Sequence, residues 1–117
     1  MRKMHELSLA RDLLATIERK IADSDVRVTR VTVSIGAATG VVPDSLRFAF
    51  RVLCEKTRAE GAELSVTTVA SRYRCSECGS VFSVEGLIGQ CHKCERLGGE
   101  LLSGNEIVLR TIEVADV

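Results

Sequence analysis

Two short stretches, CSEC at residues 75–78 and CHKC at residues 91–94, decide how this chain folds. Each places two cysteines three positions apart, a spacing at which the backbone can turn tightly and aim both sulfurs at one cation. Gly79 follows the first pair and allows such a turn. Four thiolates at the corners of a tetrahedron are the arrangement that Zn(II) prefers. The sequence therefore predicts a structural zinc site formed by Cys75, Cys78, Cys91 and Cys94.

Other uses of paired cysteines fit this sequence less well. Two disulfides require an oxidising compartment, and nothing in the sequence suggests export. A thioredoxin-like redox pair needs no second pair, and an iron cluster is less typical of this spacing than a zinc ribbon. Because four thiolates close the coordination sphere, we expect the ion to support folding rather than catalysis. Four nearby basic residues can offset the charge of the sulfurs: Arg72, Arg74, Lys93 and Arg96.

Composition limits the class of protein. A chain of 117 residues has room for one compact domain, or for a small domain with a zinc-stapled appendage. Hydrophobic residues make up 45% and aromatic residues 3%, so the core must be mostly aliphatic. Sixteen basic and sixteen acidic residues give no net charge, which argues against the alternative of a zinc-ribbon nucleic-acid-binding module. No membrane span or secretory signal is apparent, and the cysteines suit a reducing cytoplasm.

Hydrophobic periodicity predicts an α+β fold. Apolar residues recur at helical spacing over residues 7–22, and Pro43 suits the first turn of a second helix. Alternating residues predict three strands, at residues 28–36, 62–70 and 105–115. The zinc segment, residues 72–102, lies between the last two strands. We therefore expect a small mixed sheet with two helices, plus an inserted zinc ribbon. The fifth cysteine, Cys54, falls on the apolar face of the second helix and is interpreted as a small core residue.

A family resemblance emerges from several motifs in a fixed order. They are MHELS at 4–8, IG at 35–36, GVVPDSL at 40–46, FAF at 48–50, AEGA at 59–62, the paired cysteines, and IEV at 112–114. This combination resembles the HypA/HybF family, the nickel chaperones of [NiFe]-hydrogenase maturation. Taken alone, a histidine such as His5 beside a helix start is more typical of a solvated residue, so the resemblance carries the expectation of a metal role.

The resemblance implies a particular domain organisation along the chain. Residues 1–70 would form the main part of a nickel-binding domain, residues 71–103 an inserted zinc-ribbon domain, and residues 104–117 a last strand returning to the first domain. Nickel would bind through Met4, His5 and Glu6, with the His5 imidazole as the side-chain ligand. Ni(II) accepts imidazole and deprotonated backbone nitrogens in a square plane. Whether Glu6 acts through its amide or its carboxylate stays open.

The resemblance also implies a biological role. The chain would be a cytoplasmic, non-enzymatic carrier with Zn(II) as a structural ion and Ni(II) as cargo. Its implied partners are a HypB-type nickel GTPase and the large subunit of a [NiFe] hydrogenase, while some family members also serve urease. No nucleic-acid or membrane partner is expected, and a homodimer stays open. The sequence contains no Gly-rich phosphate loop, no G-x-S-x-G elbow and no H-E-x-x-H helix, so we expect no enzymatic activity.

Three departures from the family pattern bear on these expectations. Residues 1–3 precede the motif that usually begins at the initiator methionine, so a true extension and a start at Met4 are both open. Ala37-Ala38 stand where an acidic residue followed by an apolar one is common. In the second cysteine pair, His92 and Glu95 stand where proline and glycine are frequent. We expect zinc binding to survive because the four sulfurs are intact, and we expect His92 to point to solvent.

Overall fold

A computed structural model describes residues 6–85 and 89–117. The elements in chain order are α1 (Glu6–Lys20), β1 (Val26–Gly36), a 3-10 turn (Ala37–Thr39), α2 (Pro43–Cys54), β2 (Glu63–Val69), β3 (Ser71–Arg74), β4 (Val81–Val84), β5 (Glu100–Ser103) and β6 (Ile107–Asp116). The expected α+β class, with two helices and small sheets, is confirmed. Within the described residues, no helix is long and apolar enough to cross a membrane.

The predicted elements reappear with small shifts at their ends. The two helices are α1 and α2, and the three predicted strands are β1, β2 and β6. The strands β3, β4 and β5 were not predicted. Each is four residues long, which is too short for a period of two to stand out from its surroundings.

The chain forms two compact units, and three strands run from one unit into the other. The helical unit contains residues 6–33, 41–66 and 109–117; the ribbon unit contains residues 34–40, 67–85 and 89–108. Each of the strands β1, β2 and β6 contains residues of both units. The predicted domain limits at residues 70 and 103 stay a prediction.

The helical unit has the aliphatic core that the composition predicts. Helix α1 buries Ala10, Leu13 and Ile17 at helical spacing. Most of the other buried side chains come from β1 and α2, and three lie outside them: Val28, Val31, Val33, Leu46, Ala49, Phe50 and Cys54, with Ile21, Ala59 and Leu64. Cys54 is 1% exposed, which fits its interpretation as a core residue. The order of strands in the sheet is β2-β1-β6, so β1 is central and carries more buried residues than either neighbour.

The ribbon unit has a much smaller core. Its sheet has the order β4-β3-β5, and β3 pairs antiparallel with both neighbours. Cys75, Phe82 and Cys91 form a buried cluster, against which Tyr73 and Val84 pack. Two of the three buried members are cysteines of the paired motifs. So little buried apolar surface stabilises a fold of this size only weakly, and a bound metal ion is a usual additional source of stability.

Gly36 and Gly104 lie where two backbone segments of the ribbon unit come into close contact. The Gly36 N–H donates to the Glu106 carbonyl at 2.9 Å, and the Ala38 N–H donates to the Gly104 carbonyl at 3.0 Å. A Cβ atom on Gly36 would lie 1.9 Å from the Gly104 oxygen, so no side chain fits there. The backbone of the 3-10 turn is therefore fixed to the segment before β6, whatever side chains residues 37 and 38 carry.

Candidate metal sites

The four cysteines of the paired motifs converge on one point in the ribbon unit. Their sulfur atoms all lie within 4.8 Å of one another, with Sγ–Sγ distances of 3.4 Å for Cys75–Cys94 and 3.5 Å for Cys78–Cys91. A tetrahedral zinc with Zn–S bonds of about 2.3 Å needs sulfurs about 3.8 Å apart. These two distances are within a few tenths of an ångström of that value, and no pair of sulfurs exceeds 4.8 Å, so the cluster can hold a structural zinc ion.

The two cysteine pairs are built on the same hydrogen-bond pattern. In the first knuckle, residues 75–80, the Cys75 N–H donates to the Ser80 carbonyl at 2.8 Å and the Gly79 N–H to the Cys75 carbonyl at 3.0 Å. In the second knuckle, residues 91–96, the corresponding bonds are Cys91 N–H to Arg96 carbonyl and Glu95 N–H to Cys91 carbonyl, both 2.9 Å. Each knuckle therefore buries its first cysteine and exposes its second.

The fifth position of each knuckle has a left-handed backbone. Gly79 has φ of 77° and Glu95 has φ of 65°. Glycine adopts this conformation without steric cost, whereas a residue with a Cβ does not. Glu95 is one of two non-glycine residues with positive φ among the described residues. The Gln90 side chain supports it by donating Nε2–H to the Glu95 carbonyl at 2.8 Å. The missing glycine is apparent from the sequence, whereas the role of Gln90 is not.

The knuckle backbone favours thiolates in the metal-free cluster. Backbone N–H groups of Cys78 and Glu77 hold the pKa of Cys75 below its ordinary value. The Ser80 hydroxyl, with its oxygen 3.4 Å from Cys78 Sγ, and the Ser80 N–H lower the pKa of Cys78 to about 6. The Arg96 N–H lowers the pKa of Cys94, but the neighbouring Cys75 thiol and desolvation outweigh it and raise that pKa to about 12. The metal-free cluster thus holds some thiols as anions, whereas a bound zinc ion would deprotonate all four.

The charged residues around the cluster are largely paired with one another. Arg74 lies 3.1 Å from the Glu100 carboxylate, and Arg96 lies 3.5 Å from Glu77 of the first knuckle. Two of the four basic residues expected to offset the sulfur charge therefore have carboxylate partners. His92 is exposed, as expected, and its ring centroid lies 6.2 Å from that of Phe82.

The predicted nickel segment lies only partly within the described residues. Met4 and His5 fall outside them, while Glu6 is the first residue of α1. Glu6 Oε2 accepts a hydrogen bond from the Val42 N–H at 3.0 Å. No local pattern in the sequence indicates this contact, because Glu6 and Val42 are 36 positions apart. The four cysteines are the one group of three or more potential metal-ligating side chains that the described part of the chain brings together.

Comparison with known proteins agrees with these features. The family described as "Hydrogenase/urease nickel incorporation, metallochaperone, hypA" matches residues 4–114. The chain belongs to the HypA family. The hydrogenase maturation factor HypA of Dehalococcoides mccartyi strain CBDB1 is 37% identical over 114 residues, which cover 97% of this chain and 96% of that protein. HypA of Desulfitobacterium hafniense strain DCB-2 is also 37% identical, over 97% of this chain and all of that one.

A solved HypA structure resembles this protein over nearly its whole length. The solution structure of the Ni metallochaperone HypA from Helicobacter pylori is 26% identical and covers 97% of this chain and 100% of its own, with a TM-score of 0.64. The HypA resemblance seen in the sequence is therefore confirmed, and with it a nickel metallochaperone family that acts in hydrogenase maturation. The four-cysteine cluster fits a structural zinc ion in that family's fold.

Proposed function

We propose that this HypA protein carries Ni(II) as cargo and delivers it to the large subunit of a [NiFe] hydrogenase. The observation that supports this most is the family match over residues 4–114, which includes the Met4-His5-Glu6 segment and both cysteine pairs. The His5 imidazole serves as the side-chain ligand for nickel. Backbone nitrogens of the same segment complete a square plane, the geometry that Ni(II) prefers with nitrogen ligands.

The four cysteines hold zinc, and their role is structural. The first cysteine of each pair is buried in the core of the ribbon unit, so the ligands are also part of the packing. A tetrahedral site with four protein ligands has no open position for a substrate. Without a reaction centre at zinc and with nickel as cargo, the protein acts as a carrier and not as an enzyme.

Two separate sites allow the protein to keep one metal and pass on the other. Soft thiolates select zinc and close around it, whereas imidazole and amide nitrogens suit nickel. A site with one imidazole and no thiolate holds its ion less tightly than a four-thiolate cage, which a carrier needs. Deprotonated amides and a neutral imidazole also make nickel binding weaken in acid.

The partners follow from the same proposal. A HypB-type nickel GTPase supplies nickel or assists its transfer, and the immature hydrogenase large subunit receives it, in the cytoplasm. The family description also includes urease, which makes a urease a second possible recipient.

Metal titration of three proteins tests the proposal. The chain has two histidines, so His92→Ala is a matched control for His5→Ala. We expect the wild type to hold one zinc and to bind one Ni(II). His5→Ala should keep zinc and the fold but lose nickel, while His92→Ala keeps both. Calorimetric titration and elemental analysis measure these outcomes. Unchanged nickel binding in His5→Ala, or its loss in His92→Ala, would contradict the assigned site.

A further inference from the structure

Glu6, the last residue of the proposed nickel segment, is engaged with a second part of the helical unit. It begins α1, it is half-buried, and its Oε2 accepts the Val42 N–H at 3.0 Å. Val42 is the N-cap residue of α2. The contact therefore joins the first turn of α1 to the start of α2, although the two residues lie 36 positions apart in the sequence.

The environment of Val42 makes this contact favourable. A valine side chain has no acceptor, so Val42 makes no capping hydrogen bond through its own side chain. The amino end of a helix carries a partial positive charge, which stabilises a nearby carboxylate. A hydrogen bond from an N–H to an ionised carboxylate is also stronger than one to a neutral acceptor. Glu6 thus brings to α2, from the neighbouring helix, a negative charge that the N-cap residue itself cannot supply.

The contact limits how Glu6 can take part in nickel binding. Acceptance of the Val42 N–H holds Glu6 Oε2 at the start of α2, which restricts the positions that this carboxylate can reach. The main-chain nitrogen of Glu6 takes no part in this hydrogen bond. The first N–H groups of a helix have no acceptor within the helix, so ligation at this nitrogen does not break the hydrogen bonds of α1. Deprotonated backbone nitrogens are ligands that suit square-planar Ni(II).

We propose that Glu6 is a positioning residue. Its carboxylate fixes the amino end of α1 to the Val42 N–H and so sets the direction of the main chain that holds nickel, without itself ligating the ion. This inference rests on the proposed nickel site at Met4, His5 and Glu6. Within that segment, His5 would ligate nickel through its side chain and Glu6 through its backbone nitrogen, while the Glu6 carboxylate binds the Val42 N–H.

Four single variants separate this role from direct ligation. Glu6→Gln keeps an oxygen acceptor in the same place, and Glu6→Ala removes it. Val42→Pro removes the donor, at a residue whose φ of −92° is within reach of proline. Val42→Ala keeps the N–H and is the matched control. All variants are prepared as the full, zinc-loaded chain, and zinc content and far-ultraviolet circular dichroism verify that each is folded.

The first readout needs no nickel. In nitrogen-15 NMR spectra, we expect the Val42 amide proton to lie downfield in the wild type and in Glu6→Gln, and to move upfield in Glu6→Ala. We expect the order parameters of the Glu6 and Leu7 amides to fall in Glu6→Ala and in Val42→Pro, because both lose the anchor. An unchanged Val42 amide shift in Glu6→Ala would overturn the proposal, since the hydrogen bond would then be absent in solution.

The second readout is Ni(II) titration followed by calorimetry and visible absorption. We expect Glu6→Ala and Val42→Pro to bind nickel about tenfold more weakly, as suits the loss of one charge-assisted hydrogen bond. Their nickel absorption band should match that of the wild type, because the ligands are unchanged. Glu6→Gln should restore most of the affinity. The double variant Glu6→Ala with Val42→Pro should be no weaker than either single variant, because both remove the same bond.

Two titration results would overturn the inference. A Glu6→Gln variant with a shifted nickel band and the affinity of Glu6→Ala would make the carboxylate a ligand. A folded Val42→Pro variant with the affinity of Val42→Ala would leave the hydrogen bond without a role. Failure of the nickel site itself gives a different result: the wild type binds no nickel, or His5→Ala has no effect. In that case the NMR readout alone tests whether Glu6 binds the Val42 N–H.

Discussion

The first and second knuckles reach one geometry with different residues. Both have an N–H to carbonyl bond from the first cysteine to the sixth position and a second bond from the fifth position back to that cysteine. The fifth position has positive φ in both, but it is Gly79 in one and Glu95 in the other. The first knuckle therefore adopts its shape without strain, whereas the second holds a side chain in a backbone conformation that glycine prefers.

Because Glu95 adopts the same backbone conformation as Gly79, the residue type at the turn does not determine the conformation of the knuckle. A Cβ atom on Gly79 would have no neighbouring atom within 4 Å, so a side chain would not clash there. Glycine is favoured at this position only by the left-handed backbone conformation. At Glu95 the cost is offset by the Gln90 amide, whose hydrogen bond holds the Glu95 carbonyl. We infer that the two knuckles are equivalent as zinc ligands but unequal in the free energy needed to form them.

Removal of one buried cysteine ligand should have the largest effect on zinc binding and stability. The effect should be equal in the two knuckles. We expect Cys75→Ser and Cys91→Ser each to lose tight zinc binding, because each removes one of the four thiolate ligands. The stability that zinc binding supplies, about 10–16 kcal/mol in structural zinc sites, is then largely lost. The sheet β4-β3-β5 should then unfold at a lower denaturant concentration than in the wild type, while α1 and α2, with their own core, keep their stability. Zinc content and far-ultraviolet circular dichroism measure this. Retention of zinc by one of the two variants would show that the knuckles are unequal as ligand pairs.

Thiol reactivity should distinguish the exposed cysteines of the two knuckles in metal-free, reduced protein. The pKa of Cys78 is lowered to about 6 and that of Cys94 is raised to about 12, so Cys78 is a thiolate at pH 7.5 (roughly neutral conditions) and Cys94 is a thiol. Iodoacetamide should therefore modify Cys78 at least about tenfold faster. As the pH falls through about 6, Cys78 takes up its proton and its reaction should slow.

Peptide mass spectrometry after timed labelling gives the two rates. Zinc-loaded protein is the control, since bound thiolates should be protected in both knuckles. Equal rates for Cys78 and Cys94 that rise together toward pH 9 would show that the metal-free knuckles no longer hold their backbone around the sulfurs.

Exchange of the fifth residue should change stability in opposite directions. Gly79→Ala should destabilise the zinc-loaded protein by about 1–2 kcal/mol, because alanine must enter the left-handed region. Glu95→Gly should stabilise it by about 0.5–1 kcal/mol, since relief of strain exceeds the added entropy of the unfolded chain. Denaturant unfolding measures both. Glu95→Ala, which keeps a Cβ, is the control and should leave stability nearly unchanged; stabilisation by that variant would assign the effect to the carboxylate.

The ion pair between the knuckles should have the smallest effect. Arg96 and Glu77 lie 3.5 Å apart, and both side chains are more than half exposed. Exposed pairs contribute about 0–1 kcal/mol and are screened by salt. We expect Glu77→Gln to lower unfolding stability by less than about 0.5 kcal/mol at low salt and to have no effect in 1 M NaCl, a concentration at which the Debye length is about 3 Å. A larger, salt-independent loss would give the pair a structural role at the zinc site.

Much of the architecture was readable from residue order alone. Apolar spacing gave both helices and the three long strands, since a period of 3.6 or 2 over ten residues leaves a clear pattern. The strands β3, β4 and β5 left no such pattern, because four residues hold only two alternations. The first knuckle marks where β3 ends and β4 begins, because its Cys75 to Ser80 hydrogen bond closes the turn between the two strands.

The sequence by itself determined the two cysteine pairs, the order of family motifs and the fold class, because each depends on residue type and local spacing. Tertiary structure alone decided that Gln90 supports the strained Glu95, that Gly36 and Gly104 bring separate backbones into contact, and that Glu6 binds the Val42 N–H. The physical reason is the same in the last two cases. Residues tens of positions apart become neighbours only after the chain has folded, and no local pattern records which carboxylate will meet which amide.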